Sequence, residues 1–151
     1  MIRVLVCGGR NYNDWETFVR TLDNFCLERN LVTPEDQRDE YGNYMFEGLT
    51  IISGAARGAD TYAIDWAVVN WVPFKEYKAD WDTHGKKAGI LRNIQMLEEG
   101  KPDVVIAFPG GRGTAHMVSI SKNAGVEVIE VSGEGSTFPK TTGAEGRNFV
   151  D

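Results

Sequence analysis

The stretch DVVIAFPGGRGTAHM, residues 103–117, decides the fold of this chain. It begins with a short β-branched apolar run, which is typical of a strand that is buried on both faces of a sheet. A glycine-rich turn follows, and beyond it we predict a helix from about residue 113 to residue 123. A buried strand that leads through a tight turn into a helix is the repeating unit of a parallel α/β sheet. The turn itself could hold a phosphate, carry a catalytic group, or simply require glycine.

The same order recurs along the chain. Apolar runs predict strands at residues 2–8, 49–54, 73–79, 103–108 and 126–131. Helical spacing of apolar residues predicts further helices within residues 13–30, 60–71 and 85–100. Asn13 and Glu16 have the spacing of a capping box, and Gly100 with Pro102 is expected to close the helix of residues 85–100. Five strands alternating with four helical segments predict a three-layer α/β sandwich, with a mainly parallel sheet of about five strands.

The length of 151 residues suits one domain, which we place at residues 1–132. A polar, acidic segment at residues 33–48 interrupts the alternation, and we expect a small surface hairpin there, with a functional lid as the alternative. The last segment, residues 133–151, is rich in Gly, Ser and Thr and is predicted to be a flexible tail.

Composition limits the possible partners. The formal net charge is -6, which argues against a protein that coats duplex nucleic acid. Cys7 and Cys26 fall in predicted elements and are expected to be buried, reduced thiols. The apolar run near the N-terminus is too short for a signal peptide or a membrane span, so we expect a cytoplasmic protein with no membrane partner.

Three predicted strand-to-helix turns carry both glycine and arginine. They are CGGRNYND after the first strand, SGAARGADT after the second and PGGRGTAHM after the fourth, and they contribute Arg10, Arg57 and Arg112. Lys86, Lys87 and Arg92 add positive charge near the start of the helix that follows the third strand. Because ligands of open parallel sheets bind outside the carboxyl ends of the strands, these turns predict a site for a phosphate or another anion.

Other motifs are absent. The chain lacks G-x-G-x-x-G and G-K-[ST], which disfavours classical NAD binding and a P-loop. His84 and His116 are isolated, so neither a metal site nor a cofactor is predicted.

Asp60 could cap a helix or contact the ligand. Trp81 is placed for base stacking, and the flanking Asp80 and Asp82 could do acid–base work or belong to a solvated loop.

Four ordered motifs together resemble a known family. CGGR, SGAARGADTYAIDWA, ADWDTHGKKAGILRNIQML and IAFPGGRGTAHM are similar to the YspA-like, cpYpsA-related branch of the SLOG superfamily, over roughly residues 2–131. The resemblance implies a Rossmann-like fold, a bacterial or phage origin, and a site for a nucleotide or nucleotide-derived ligand at the glycine-rich edge. Its relatives include the Lonely Guy phosphoribohydrolases and the DNA-processing protein DprA.

The resemblance to the hydrolases is incomplete. Their pattern is P-G-G-x-G-T-x-x-E with an upstream R-x-x-x-M. This chain keeps Arg92 and Met96, and it also keeps Pro109, Gly110, Gly111, Gly113 and Thr114. The glutamate position is Met117, which can neither carry charge nor move a proton. We therefore favour a binding protein, which could sense or sequester a nucleotide signal such as an ADP-ribose derivative. A Lonely Guy-type N-glycosidase, with Arg92 and Asp80 as candidate catalytic residues, and a DprA-like accessory remain alternatives.

The predicted partner is a nucleotide or nucleotide-derived small molecule, and a homo-oligomer (dimer or higher) is possible through helices that carry Trp66 and Trp71. The predicted ligand-binding residues come from the turns and from the helix of residues 85–100. They are Gly8, Gly9, Arg10, Ser53, Gly54, Arg57, Gly58, Asp60, Trp81, Lys86, Arg92, Asn93, Met96, Pro109, Gly110, Gly111, Arg112, Gly113 and Thr114.

Overall fold

The structure is a computed structural model that describes residues 1–133 in full and the backbone of residues 139–141. Its strands are β1 (Ile2–Cys7), β2 (Leu49–Ser53), β3 (Phe74–Glu76), β4 (Val104–Ala107), β5 (Glu127–Val131) and β6 (Pro139–Thr141). Its helices are α1 (Trp15–Glu28), α2 (Ala59–Val69), α3 (Trp81–His84), α4 (Ala88–Gly100) and α5 (Arg112–Asn123). Short 3-10 turns lie at Glu35–Gln37 and Gly85–Lys87.

The strands form one sheet in the order β3-β2-β1-β4-β5-β6. The pairings from β3 through β5 are parallel, and β6 pairs with β5 in the antiparallel direction. The predicted α/β fold with a mainly parallel sheet is confirmed, whereas β6 has no counterpart among the predicted strands. The chain runs outward from β1 to β3 and then returns to β4 on the other side of β1. The strand order therefore reverses between β1 and β4, which is where open α/β sheets open a crevice for ligands.

Alternate residues of the central strands bury on opposite faces of the sheet. Val4 and Val6 of β1 pack with Phe18 of α1 and Trp66 of α2, whereas Leu5 belongs to a second cluster with residues of α4 and α5. The sheet therefore lies between two helical layers, α1 and α2 on one side and α4 and α5 on the other.

Two helix boundaries differ from the predicted ones. Asp14 caps α1, because its carboxylate accepts hydrogen bonds from the Thr17 backbone N–H at 3.1 Å and from the Thr17 hydroxyl at 2.7 Å. The expected capping box of Asn13 and Glu16 is therefore wrong by one residue. At the other end of the pattern, Lys101 takes the left-handed conformation that ends α4, with φ of 47°. Gly100 is instead a buried helical residue, and a Cβ there would lie 3.2 Å from the Ile52 side chain.

The segment of residues 33–48 folds back on itself. The Thr33 N–H donates to the Met45 carbonyl, and Val32 pairs with Phe46 in an antiparallel bridge. The Phe46 ring stacks on Trp66 at 5.5 Å, on the α2 side of the sheet. Its last residue, Gly48, accepts from the Ile2 N–H at the amino ends of the strands, which is the edge opposite the crevice. This placement does not suit a lid over the crevice.

Cys7 and Cys26 are buried and form no disulfide, as expected. Burial raises the pKa of the Cys26 thiol to about 12. Among the described residues, no helix has the length and apolar character that a membrane span requires. The predicted flexible tail, residues 133–151, lies outside the described residues apart from Gly133 and the short strand β6.

Candidate functional site

A cavity of about 580 Å³ opens at the carboxyl edge of the sheet, where the strand order reverses. Its walls come from the β1–α1 turn, the β2–α2 turn, the segment from α3 to α4, and the start of α5. The lining residues are Cys7, Gly8, Gly9, Arg10, Ala56, Asp60, Trp81, Lys86, Gly89, Ile90, Arg92, Asn93, Met96, Gly111, Arg112, Gly113, Thr114 and His116.

The β1–α1 and β4–α5 turns are in direct backbone contact. The Gly9 N–H donates to the Pro109 carbonyl at 2.9 Å. A Cβ at Gly110 would lie 2.6 Å from the Gly9 nitrogen and would collide with the Thr114 hydroxyl. Gly110 therefore allows the two turns to approach each other, although it does not itself line the cavity.

The β2–α2 turn is fixed by internal hydrogen bonds. The Ser53 hydroxyl donates to the Asp60 carbonyl at 2.8 Å and accepts from the Ala55 N–H at 3.1 Å. Ala55 has a φ of 62°, which is uncommon for a residue with a side chain. Gly58 has a φ of 80°, and a Cβ there would collide with the Gly9 carbonyl oxygen. Ser53 and Gly58 thus shape the turn and hold it against the β1–α1 turn.

Arg92 connects two walls of the cavity. Its guanidinium donates to the Gly54 carbonyl at 2.6 Å and to the Asn93 side-chain oxygen at 3.2 Å. The Asn93 amide nitrogen donates to the Gly113 carbonyl at 3.1 Å and lies 3.1 Å from Nδ1 of His116. Partial burial lowers the pKa of Arg92, and the nearby Asp60 charge opposes that shift. The network holds a cationic group against the cavity wall.

Asp60 contributes the carboxylate that lines the cavity, and only 6% of the residue is exposed. Its Oδ2 accepts a hydrogen bond from the Ala56 N–H at 3.2 Å. Burial raises the pKa of Asp60 to about 6, against the opposing effects of that hydrogen bond and of the Arg92 and Arg10 charges. This carboxyl group therefore titrates near neutral pH, and groups with perturbed pKa values in clefts are often functional.

The solvent side of the cavity carries an aromatic surface. Trp81 is 47% exposed, and the Arg10 guanidinium lies 5.3 Å from the centre of its ring. Asp80, by contrast, does not line the cavity. Its carboxylate caps α3 by accepting from the Thr83 N–H at 3.1 Å, and hydrogen bonding to Thr83 lowers its pKa. The structure therefore places this candidate catalytic residue in a capping role.

Four cationic side chains and a helix N-terminus line this cavity. No side chain of the described residues caps the N-terminus of α5, whose first residues Arg112, Gly113 and Thr114 line the cavity. Arg10, Lys86 and Arg92 line the cavity as well. An uncapped helix N-terminus flanked by cations is a favourable place for an anion. The described residues contain no group of three or more His, Cys, Asp or Glu side chains that could hold a metal ion.

The structure brings most of the predicted site residues together at this cavity. Those that line it are Gly8, Gly9, Arg10, Asp60, Trp81, Lys86, Arg92, Asn93, Met96, Gly111, Arg112, Gly113 and Thr114. Those that do not are Ser53, Gly54, Arg57, Gly58, Pro109 and Gly110. Arg57 is exposed to solvent, while the others of this second set belong to the turns themselves. Whether any of these residues binds a ligand stays a prediction.

Sequence reasoning missed one polar lining residue, His116. The available signal was helical spacing, because residue 116 lies one turn after Arg112 and so shares its helix face. The neighbouring Met117 is fully buried among Leu5, Met96 and other apolar residues of the sheet. The position at which the resembling hydrolases carry glutamate therefore faces the core and does not line the cavity.

Two comparisons with known proteins bear on this site. A family model described as "YspA, cpYpsA-related SLOG family" matches residues 38–84, which include the β2–α2 turn and Trp81. The chain is also similar to the Gene 61 protein of Mycobacterium phage D29. The two are 39% identical over an alignment of 139 positions, and the match covers 85% of this chain and 95% of the phage protein.

Proposed function

This chain belongs to the YspA, cpYpsA-related SLOG family, and from that premise we propose that it binds a nucleotide or nucleotide-derived ligand in the cavity at the carboxyl edge of its sheet. The observation that carries the proposal is the meeting of four cationic side chains with the uncapped N-terminus of α5 around one cavity. The chain has a net charge of -6, yet these cationic side chains lie around one cavity. An anionic ligand would explain why they are placed together.

The phosphate would lie at the start of α5. There the backbone N–H groups of the first helical turn point outward, and the helix dipole adds a partial positive charge. The Arg112 side chain is exposed and makes no hydrogen bond to a described residue, so its guanidinium is available for a bidentate contact. Lys86 also lines the cavity and supplies a further charge.

The remainder of the ligand would extend towards Trp81. The cavity volume of about 580 Å³ lies within the usual range for small-molecule sites, roughly 300–1,000 Å³. The exposed Trp81 ring offers a flat surface on which a base can stack, once the Arg10 guanidinium moves aside or shares the ring. A nucleotide thus fits the cavity in charge, size and aromatic character.

Binding suits the site better than hydrolysis of the Lonely Guy type. The residue at the glutamate position, Met117, has no ionisable group and is buried in the core. Asp80 caps α3 outside the cavity. We therefore extend the proposal to a role in sensing or sequestering a nucleotide signal, an ADP-ribose derivative among the candidates.

Isothermal titration calorimetry against AMP, ADP, ADP-ribose and cyclic nucleotides tests the proposal. We expect at least one of them to bind more tightly than about 1 mM, which corresponds to about -4 kcal/mol. Arg112→Ala should weaken that binding by about 1.5–3 kcal/mol, because it removes a charged hydrogen-bond donor. The melting temperature should not change, since Arg112 supports no other residue.

Arg20→Ala is the matched control, because Arg20 is an exposed arginine of α1 outside the cavity and its loss changes the net charge equally. The proposal fails if no nucleotide binds at millimolar concentration. It also fails if the two arginine variants lose the same affinity, since only a general charge effect would then be measured.

A further inference from the structure

Asp60 differs in charge from the other charged side chains that the structure describes around the cavity. Arg10, Lys86, Arg92 and Arg112 can only donate hydrogen bonds, whereas the Asp60 carboxylate can only accept them. Its Oδ2 accepts from the Ala56 N–H, but Oδ1 has no hydrogen-bond donor among the described residues. A nearly buried carboxylate that lines a cavity thus keeps one acceptor oxygen unused.

The nearby Arg92 and Arg10 favour the charge of Asp60, but the hydrogen bonding of the turn does not require it. Gly58 is the N-cap residue of α2, and no side chain among the described residues caps that helix end. Asp60 instead binds the Ala56 N–H in the preceding turn, and a neutral asparagine could accept the same hydrogen bond. Arg92 and Arg10 act on Asp60 through their charges, but neither donates a hydrogen bond to Oδ1 among the described residues. This oxygen can therefore accept a hydrogen bond from a group that arrives with the ligand.

The chemistry of that partner follows from the surroundings. A phosphate would be repelled by Asp60 and attracted to the start of α5, so the ligand must present a different group to the carboxylate. That group must donate hydrogen bonds without adding negative charge. The adjacent hydroxyl groups of a ribose do so, and a carboxylate is their usual acceptor in nucleotide sites.

We propose that Asp60 accepts hydrogen bonds from the ribose hydroxyls of the ligand, and that the cavity therefore selects ribonucleotides over 2′-deoxyribonucleotides. This inference rests on the proposed function and adds the sugar specificity of the same site. A site built to bind a hydroxyl group discriminates strongly against the analogue that lacks it, because its buried acceptor is then left unpaired.

Calorimetric titration with AMP and with 2′-deoxy-AMP tests the inference. We expect the wild-type protein to bind 2′-deoxy-AMP at least tenfold more weakly than AMP. Asp60→Ala should bring the two affinities within threefold of each other. Asp60→Asn is the second variant, since it keeps the contact with the Ala56 N–H and hence the turn, and it should lose most of the preference as well.

Asp65→Ala is the control, because Asp65 is an exposed carboxylate of the same helix and lies outside the cavity. It should keep the tenfold preference. Equal binding of the two nucleotides to the wild-type protein would overturn the inference alone, as would a full preference in a folded Asp60→Asn variant. Failure of both nucleotides to bind would overturn the proposed function, and this inference with it.

Discussion

At the scale of single residues, Arg92 and Arg112 both line the cavity, but their side chains differ in the hydrogen bonds that hold them. Arg92 is held by the Gly54 carbonyl and the Asn93 side chain, so its position is set before any ligand arrives. Arg112 is exposed and projects from the first residue of α5. Arg92 is therefore suited to fix the shape of the site, and Arg112 to respond to the charge of the ligand.

Asp60 makes stability depend on pH. Its pKa is raised on folding from an ordinary value near 4 to about 6, so the folded state holds this proton more tightly than the unfolded chain does. The contribution of Asp60 to stability is therefore greatest in acid and is lost as the pH rises from about 4 through 6. The Asp60→Asn variant has no carboxyl group at this position and so does not lose this stability. Its free energy of unfolding should therefore rise relative to that of the wild type by about 1 kcal/mol between pH 5 and pH 8. Urea unfolding at the two pH values measures the difference, and a difference that does not change with pH would contradict the assignment.

Some residues of the candidate site could be predicted from the sequence, whereas the positions of others could not. The turn residues of the three glycine motifs were recognisable because glycine, arginine and threonine in a strand-to-helix turn suit anion binding. The burial of Asp60 and the inward position of Met117 were not, because both depend on contacts between elements far apart in the sequence. His116 is isolated in the sequence, yet it meets Asn93 across the boundary between α4 and α5.

At the scale of elements, the β1–α1 and β2–α2 turns depend on each other. Gly58 has a left-handed φ of 80°, and its Cα faces the Gly9 carbonyl so closely that no Cβ fits. We predict that Gly58→Ala destabilises the protein by about 2–4 kcal/mol, since the left-handed conformation and the overlap each cost roughly 1–2 kcal/mol. Thermal or urea unfolding provides the measurement.

Gly113→Ala is the matched comparison for that variant. Gly113 lies inside α5, and a Cβ added there would have no neighbour within 4 Å outside its own helix turn. Alanine there should leave stability unchanged or raise it by up to about 1 kcal/mol, because glycine is the poorer helix residue. If Gly58→Ala and Gly113→Ala were equally stable, the close contact between the two turns would be refuted.

The order of the strands and helices was predictable from the sequence, whereas the residues at which they begin and end were harder to predict. The strands could be found because four of them are short apolar runs between turn signals, and the edge strand β3 was found from its place in the alternation. The start of α1 was misplaced because Asn13 and Asp14 are both good capping residues, and only the structure shows which side chain reaches Thr17. Strand β6 was missed because it lies in a segment whose composition suggested a flexible tail.

At the scale of the whole molecule, the charge of the cavity is opposite in sign to the net charge of the chain. The chain carries a net charge of -6, yet four of the five charged residues that line the cavity are cationic. A long polyanion would meet the acidic surface beyond the cavity, whereas a small anion would meet the cavity alone. This distribution favours a small ligand over duplex nucleic acid.

The predicted homo-oligomer remains a proposal at this scale. Trp66 is buried and donates to Asp23 at 3.0 Å, so it serves the core. Trp71 is 82% exposed beside Val68 and Val69, which are exposed as well. The surface suited to a second copy is therefore the one formed by these three residues at the C-terminal end of α2, and none of them lines the cavity.

The central claim is that this cavity binds a nucleotide, and its most direct test is an NMR titration of ¹⁵N-labelled protein with AMP. Binding in the cavity should produce chemical-shift changes that saturate together and concentrate in the backbone amides of residues 8–10 and 111–114 and in the Trp81 indole. Residues 33–48, at the opposite edge of the sheet, should not shift. Shifts concentrated in that segment, or no shifts at millimolar AMP and ADP-ribose, would contradict the claim.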